Sequence, residues 1–363
     1  MNRHVSGPLA VLVVLIVLGA LGFGWGARPR GEKKADKSEP KGKTAAAQPQ
    51  QSTSGPGSKD YPHGSVVKKQ VGDGGSGYWL FTPADPVPAE APVVLFLHGW
   101  RALNPKDYGG WIDHMARKGS IVIYPLFEET RMDEPLDMMK RAIQTTKTVI
   151  EGLKKGPIKP RLDRFFIVGH SLGGGLSAQV AARAEKEGLP IPKAIMPTEP
   201  GWRGKGEYPA DALKDIPASV LVLVIVGSDD QFAETRQAKP IFGAIQQVPN
   251  DHKRFVTLYS DDHGTPPLIA DHAAPLSPRD DYGPAFTAQQ QRRRNLVEMF
   301  TGMRDGEIDA LDWYGIWKLT DALCDAAFSG RSMDAVVGSS DRLAMGKWSD
   351  GTPVKPMTET LTP

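Results

Sequence analysis

The 363-residue chain predicts an α/β domain, a mostly parallel central sheet with helices on both faces. Three observations predict it. Apolar runs such as "VVLFL", "FFIVG" and "VLVLVIVG" lack polar alternation, as strands buried on both faces require. Segments of helical spacing separate them. In "LDMMKRAIQTTKTVIEGLKK", Met138, Ile143, Val149, Ile150 and Leu153 recur at intervals that suit one helix face. Polar clusters then follow the apolar runs, where open parallel sheets bind their ligands.

In order, "GYWLFTP" reads as a strand, "ADPVPAEAP" as a proline-rich turn and "VVLFLHG" as a buried strand. "WIDHMARKG" has helical spacing and leads into the strand "SIVIYP". The long amphipathic helix follows, then the strand "FFIVGH" and the helix-like "LSAQVAARAEKEG". "KAIMPTEP", "SVLVLVIVGSDD" and "RFVTLYSDDHG" supply three further strand-then-loop units. The expected order is β-β-α-β-α-β-α-β-α-β-α-β.

Residues 63–330 are assigned to this domain. Val5 to Ala27 carries no charge, long enough to cross a bilayer as a helix, so residues 1–27 read as a signal anchor or signal peptide. Anchoring would make the membrane a partner and put the domain on the extracytoplasmic side; cleavage would release it. Residues 28–62, rich in Lys, Pro, Ser and Gln, read as a flexible linker, and 331–363 as a C-terminal tail. A net charge of +2 argues against a nucleic-acid partner. The single cysteine, Cys324, excludes an intramolecular disulfide and any CxxC motif.

Four polar clusters stand at strand ends: His98-Gly99-Trp100, Ser171, Asp229-Asp230 and Asp261-Asp262-His263. "GHSLG", Gly169 to Gly173, fits G-x-S-x-G, a sharp strand-to-helix turn that lifts a serine hydroxyl above the sheet. Such a hydroxyl needs a base to take its proton. His263 ends its strand and is preferred for that role over His272, which lies in an irregular proline-containing segment. A carboxylate must hold the imidazole, and Asp230 is preferred over its neighbour Asp229. The backbone N–H of Leu172 would receive an oxyanion, with a second donor from Trp100 or Arg101. Trp202, following the "KAIMP" strand, is a candidate substrate contact.

The order Ser171, Asp230, His263, with "HGW" upstream and "GHSLGGG" at the turn, resembles the α/β-hydrolase superfamily over Tyr78 to Gly264. Within it the chain is similar to single-domain carboxylic-ester hydrolases, a group including chlorophyllase-like, cutinase-like and polyester-cleaving enzymes. The resemblance implies an α/β-hydrolase fold, Ser171 as nucleophile, His263 as base, Asp230 as orienting acid, and Trp100 and Leu172 as oxyanion donors. It implies a small or lipid-like ester as substrate and no cofactor or metal. The "HGW" loop departs from the glycine-run form of many esterases, Leu172 stands where polyester-cleaving relatives usually have Met, and the cutinase-like disulfide is impossible. The same residues could serve an acyltransferase or an amidase or peptidase; a non-catalytic membrane-tethered binding module is a further alternative. Beyond His263 the chain carries a long insertion expected to cap the pocket or to run over the surface.

Overall fold

The computed structural model describes residues 45–203, 208–292, 295 and 304–363. The apolar segment Val5–Ala27 lies outside them. Among the described residues no helix is long and apolar enough to cross a membrane.

Nine strands form one sheet among the described residues: β1 Ser65–Val71, β2 Tyr78–Ala84, β3 Glu90–Leu97, β4 Ile121–Pro125, β5 Lys159–His170, β6 Ala194–Thr198, β7 Leu221–Gly227, β8 Lys253–Leu258 and β9 Thr358–Thr360. Their spatial order is β1-β2-β4-β3-β5-β6-β7-β8-β9. The pairings from β4 through β8 are parallel, and β1, β2 and β9 join antiparallel at the two edges.

Because successive strand side chains point to opposite faces, each apolar run feeds two cores at once. Val94 and Phe96 of β3 pack with one layer, Val93, Leu95 and Leu97 with the other. The first layer is closed by α1 (Gly109–Arg117) and α5 (Trp317–Phe328), through Trp111, Ile112, Leu319 and Leu323. The second is closed by α2 (Pro135–Leu153), α3 (Leu172–Arg183) and α4 (Ala238–Ala244), through Ile143, Leu176 and Ile241. The π-turn Leu311–Ile316 leads into α5.

Three expectations need correction. The expected linker is not free throughout, because residues 45–62 are packed on the domain. Thr265 and Ser349 donate backbone N–H bonds to the Ala46 and Ala47 carbonyls (2.8 and 2.9 Å). Trp313 Nε1 donates to the Pro49 carbonyl, and the Gly57 N–H donates to Asp321 at 2.8 Å. This attachment runs mainly through backbone groups, which a composition poor in apolar residues does not reveal. Nor are residues 331–363 a tail. Met333, Met345, Trp348, Val354 and Met357 are buried in the first core, and β9 covers the edge of β8, pairing Thr358 with Thr257. Strand β1 was also missed. Its Lys68, Lys69 and Gln70 sit on a solvated edge strand, where charge replaces apolar alternation.

Candidate active site

Strand β5 ends at His170 and α3 begins at Leu172, so Ser171 must turn the chain in one residue. It does so at φ 55°, ψ −122°, a strained conformation for a residue with a side chain. Glycine is required beside it. A Cβ on Gly169 would stand 2.2 Å from the Gly173 carbonyl oxygen, and one on Gly173 would stand 1.9 Å from that of Leu97. The turn is stapled to the loop after β6: the Ser171 N–H donates to Thr198 (3.1 Å), and the Gly201 N–H donates to the Ser171 carbonyl (2.7 Å).

The Ser171 hydroxyl meets His272 Nε2 at 2.9 Å, and His272 Nδ1 meets Asp230 Oδ2 at 2.9 Å. His272 and Asp230 are both buried. Asp230 Oδ1 accepts the N–H groups of Phe232 (2.8 Å) and Ala233 (2.9 Å). Burial raises the Asp230 carboxyl, but the His272 hydrogen bond and charge, with these two amides, outweigh it and hold the carboxyl below its usual range. A carboxylate on Nδ1 places the imidazole proton there and leaves Nε2 to accept from Ser171. Asp229 is exposed, with its carboxylate beside the Ser228 hydroxyl at 3.3 Å.

His263, expected as the base, lies elsewhere. Its Nε2 pairs with Asp350 at 2.8 Å on the surface. The reason is sheet geometry. Strand β8 is three places from β5, about 14 Å at about 4.8 Å per strand, and it stops at Leu258, so His263 belongs to the loop beyond it. The chain must first come back. Asp261 and Leu268 bridge antiparallel, so residues 262–267 form an outward excursion carrying His263 away. The returning strand crosses the end of β7, where the Asp229 N–H bonds the Ala270 carbonyl at 2.9 Å, and delivers His272. An acidic residue then locks this loop. Asp271 accepts from Arg304 Nε (2.9 Å) and Nη2 (3.1 Å), while Arg304 Nη2 also reaches the Ile269 carbonyl (3.1 Å). The expected insertion, residues 264–307, thus supplies Arg304, which fixes the histidine loop; Arg293 and Arg294 within it lie outside the described residues.

Of the two candidate loop donors for the oxyanion, the structure separates one from the other. The Arg101 N–H is bound to Glu128 Oε1 at 2.7 Å, whereas the Trp100 N–H has no hydrogen-bond partner among the described residues. Leu172 opens α3 next to Ser171, with its N–H at a helix N-terminus. A hydrogen-bond chain fixes the spacing between the two sides. The Gly99 N–H donates to Tyr108 Oη (3.0 Å), whose hydroxyl is hydrogen-bonded with His170 Nδ1 (2.9 Å). His170 is thus a spacer between the loop after β3 and the serine turn; burial, with the His272 charge added, pushes its pKa well down. His98 stacks flat on Phe127 at 4.0 Å, and burial lowers it to about 4, which suits a structural role.

Two further groups were not anticipated. Glu199, at φ 45° just beyond β6, is fully buried 3.8 Å from His272 Nδ1 and 3.5 Å from His170 Nε2. Burial, then the charges of Asp230 and Asp271, push its carboxyl well up, which keeps a second full negative charge from forming beside Asp230. Phe232 stacks on His272 at 5.3 Å while remaining half exposed. A residue one or two places beyond the acid could have suggested it. Trp202 is partly buried and packs edge-on against Tyr208 at 5.0 Å, one residue beyond Gly201 in the site wall. His170, Glu199 and His272 also form the one cluster of metal-ligand type among the described residues, but His272 is already held by Asp230 and Ser171.

The strand order, the serine turn between β5 and α3, and polar residues at the ends of β3, β7 and beyond β8 occur together here. The Chlorophyllase family model matches residues 77–201, about a third of the chain. The fold is that of the α/β-hydrolases. The matched stretch includes the loop after β3 and the serine turn and ends before Asp230 and His272. Those two residues rest on the geometry alone. No curated protein matches the chain.

Proposed function

We propose that the protein is a serine hydrolase that cleaves carboxylic esters by way of an acyl-enzyme. The observation that carries this reading is the continuous chain from Ser171 Oγ through His272 to Asp230, with both links at 2.9 Å. Ser171 attacks the ester carbonyl as His272 Nε2 takes its proton. The imidazolium is held by Asp230, and the oxyanion faces the Leu172 and Trp100 N–H groups. Collapse expels the alcohol, which takes its proton from His272. Water activated by His272 then attacks the acyl-Ser171 ester, and the second collapse returns the proton to Ser171.

The match to an ester-hydrolase-type family supports the ester assignment over other acyl chemistry. A p-nitrophenyl ester panel of increasing acyl length tests it in the full-length protein, with and without an added alcohol or amine acceptor. Hydrolysis with free acid as the main product is expected. Dominant transfer to the acceptor, or cleavage of amides in preference to esters, would contradict it.

A further inference from the structure

The rim of the site carries charge that the ester-cleaving steps do not use. Arg203, exposed on the loop after β6, lays its guanidinium over the Trp100 ring, 3.6 Å from the centroid. Among the described residues no carboxylate makes a close ion pair with it, although its charge acts on the enclosed Glu128 carboxyl. The same loop forms the site wall: a Cβ on Gly201 would stand 3.3 Å from Ser171 Oγ. Arg101 adds a second, partly exposed cation beyond Trp100, 3.9 Å from the enclosed Glu128. The rim beside the oxyanion loop is therefore net positive, and stacking on Trp100 holds one of its cations in place. Across the serine the character changes. Phe232, half exposed and stacked on His272, presents an aromatic face.

Reaction geometry tells which part of the substrate meets which side. The leaving oxygen must lie at His272 Nε2 to receive its proton, which puts the alcohol portion beside Phe232. The carbonyl oxygen lies at the Trp100 and Leu172 amides, and the acyl chain takes the remaining direction, away from His272 and past Trp100. Resting on the ester-hydrolase reading, we propose that Arg203 binds a carboxylate at the far end of the acyl group. The preferred substrates are then monoesters of short dicarboxylic acids, with an apolar or aromatic alcohol against Phe232.

The test compares kcat/KM for p-nitrophenyl butyrate and for the mono-p-nitrophenyl esters of glutaric and adipic acid. Wild type should favour an anionic ester. Arg203→Ala should lower the anionic-to-neutral ratio by about 2- to 5-fold, the scale of one exposed ion pair, and Arg203→Lys by less. Raising the salt from about 0.05 to 0.5 M should erode the wild-type ratio, because an exposed pair is screened. Lys140→Ala, which removes an exposed cation on α2, should leave the ratio where it is. A wild-type ratio of one or less, or a ratio unmoved by Arg203→Ala, overturns the carboxylate assignment while neutral-ester turnover keeps the hydrolase reading intact. If neither ester is cleaved and a fluorophosphonate fails to label Ser171, both readings fall together.

Discussion

Two histidine–aspartate pairs stand in the loops around β8, and their lengths barely differ: 2.9 Å for His272–Asp230 and 2.8 Å for His263–Asp350. Their surroundings differ completely. His272 and Asp230 are enclosed, whereas the His263 and Asp350 side chains keep 38% and 47% of their surface in solvent. An enclosed pair interacts through a low effective dielectric, and a solvated one is worth little. The other difference is the third partner. His272 has Ser171 on its free nitrogen, while His263 lies tilted against the Trp348 ring, centroids 5.8 Å apart. An acid beside an imidazole does not make a base; a hydroxyl on the opposite nitrogen and exclusion of water do.

The largest effect that would break this contrast is at the histidines themselves. Ester-cleaving kcat/KM should fall about 10⁴-fold in His272→Ala and stay within about twofold in His263→Ala. Equal losses would place the base in the wrong loop. One step smaller, Asp230→Asn should cost about 10³- to 10⁴-fold by disturbing the His272 tautomer, against little change in Asp350→Asn. The clamp on the histidine loop comes next. Arg304→Ala frees Asp271 from its paired hydrogen bonds and should lower kcat about 10-fold through misplacement of His272, with Arg304→Lys recovering part of the loss.

The smallest effect sharpens the contrast from the opposite direction, because enclosure that strengthens a paired charge penalises one less well matched. Burial pushes the Glu128 carboxyl up to about 7, against the opposing pull of the Arg101 N–H and charge. The folded state therefore keeps a proton that the unfolded chain releases at the usual carboxyl value. Stability from this group is full below about pH 4.5 and is lost as the pH rises through about 7. Glu128→Gln should flatten the decline in melting temperature between about pH 5 and 7.5. An unchanged slope would assign the decline to other groups.

The parts of the molecule legible in sequence are those whose signal is local. Buried parallel strands announce themselves as apolar runs, and the serine turn by glycines that backbone contacts at Leu97 and Gly173 demand. Asp230 was legible because it stands in the short turn only three residues beyond β7 and needs no long loop to reach the site. His272 was not, because its position depends on where the chain goes after β8. The Asp261–Leu268 bridge, the crossing over β7 and the Arg304 clamp are contacts between distant residues, and none leaves a periodic trace. The same holds for residues 45–62 and for β9, whose attachment is by backbone pairing and scattered buried side chains rather than by a patterned face.

The central claim, that Ser171 is activated by His272, is tested most directly by the rate at which a fluorophosphonate labels Ser171, located by peptide mass spectrometry in the wild type and the two histidine variants. Labelling of Ser171 is expected to be fast in wild type and His263→Ala, and slowed by at least about 10²-fold in His272→Ala. Labelling that survives in His272→Ala and is lost in His263→Ala would contradict it.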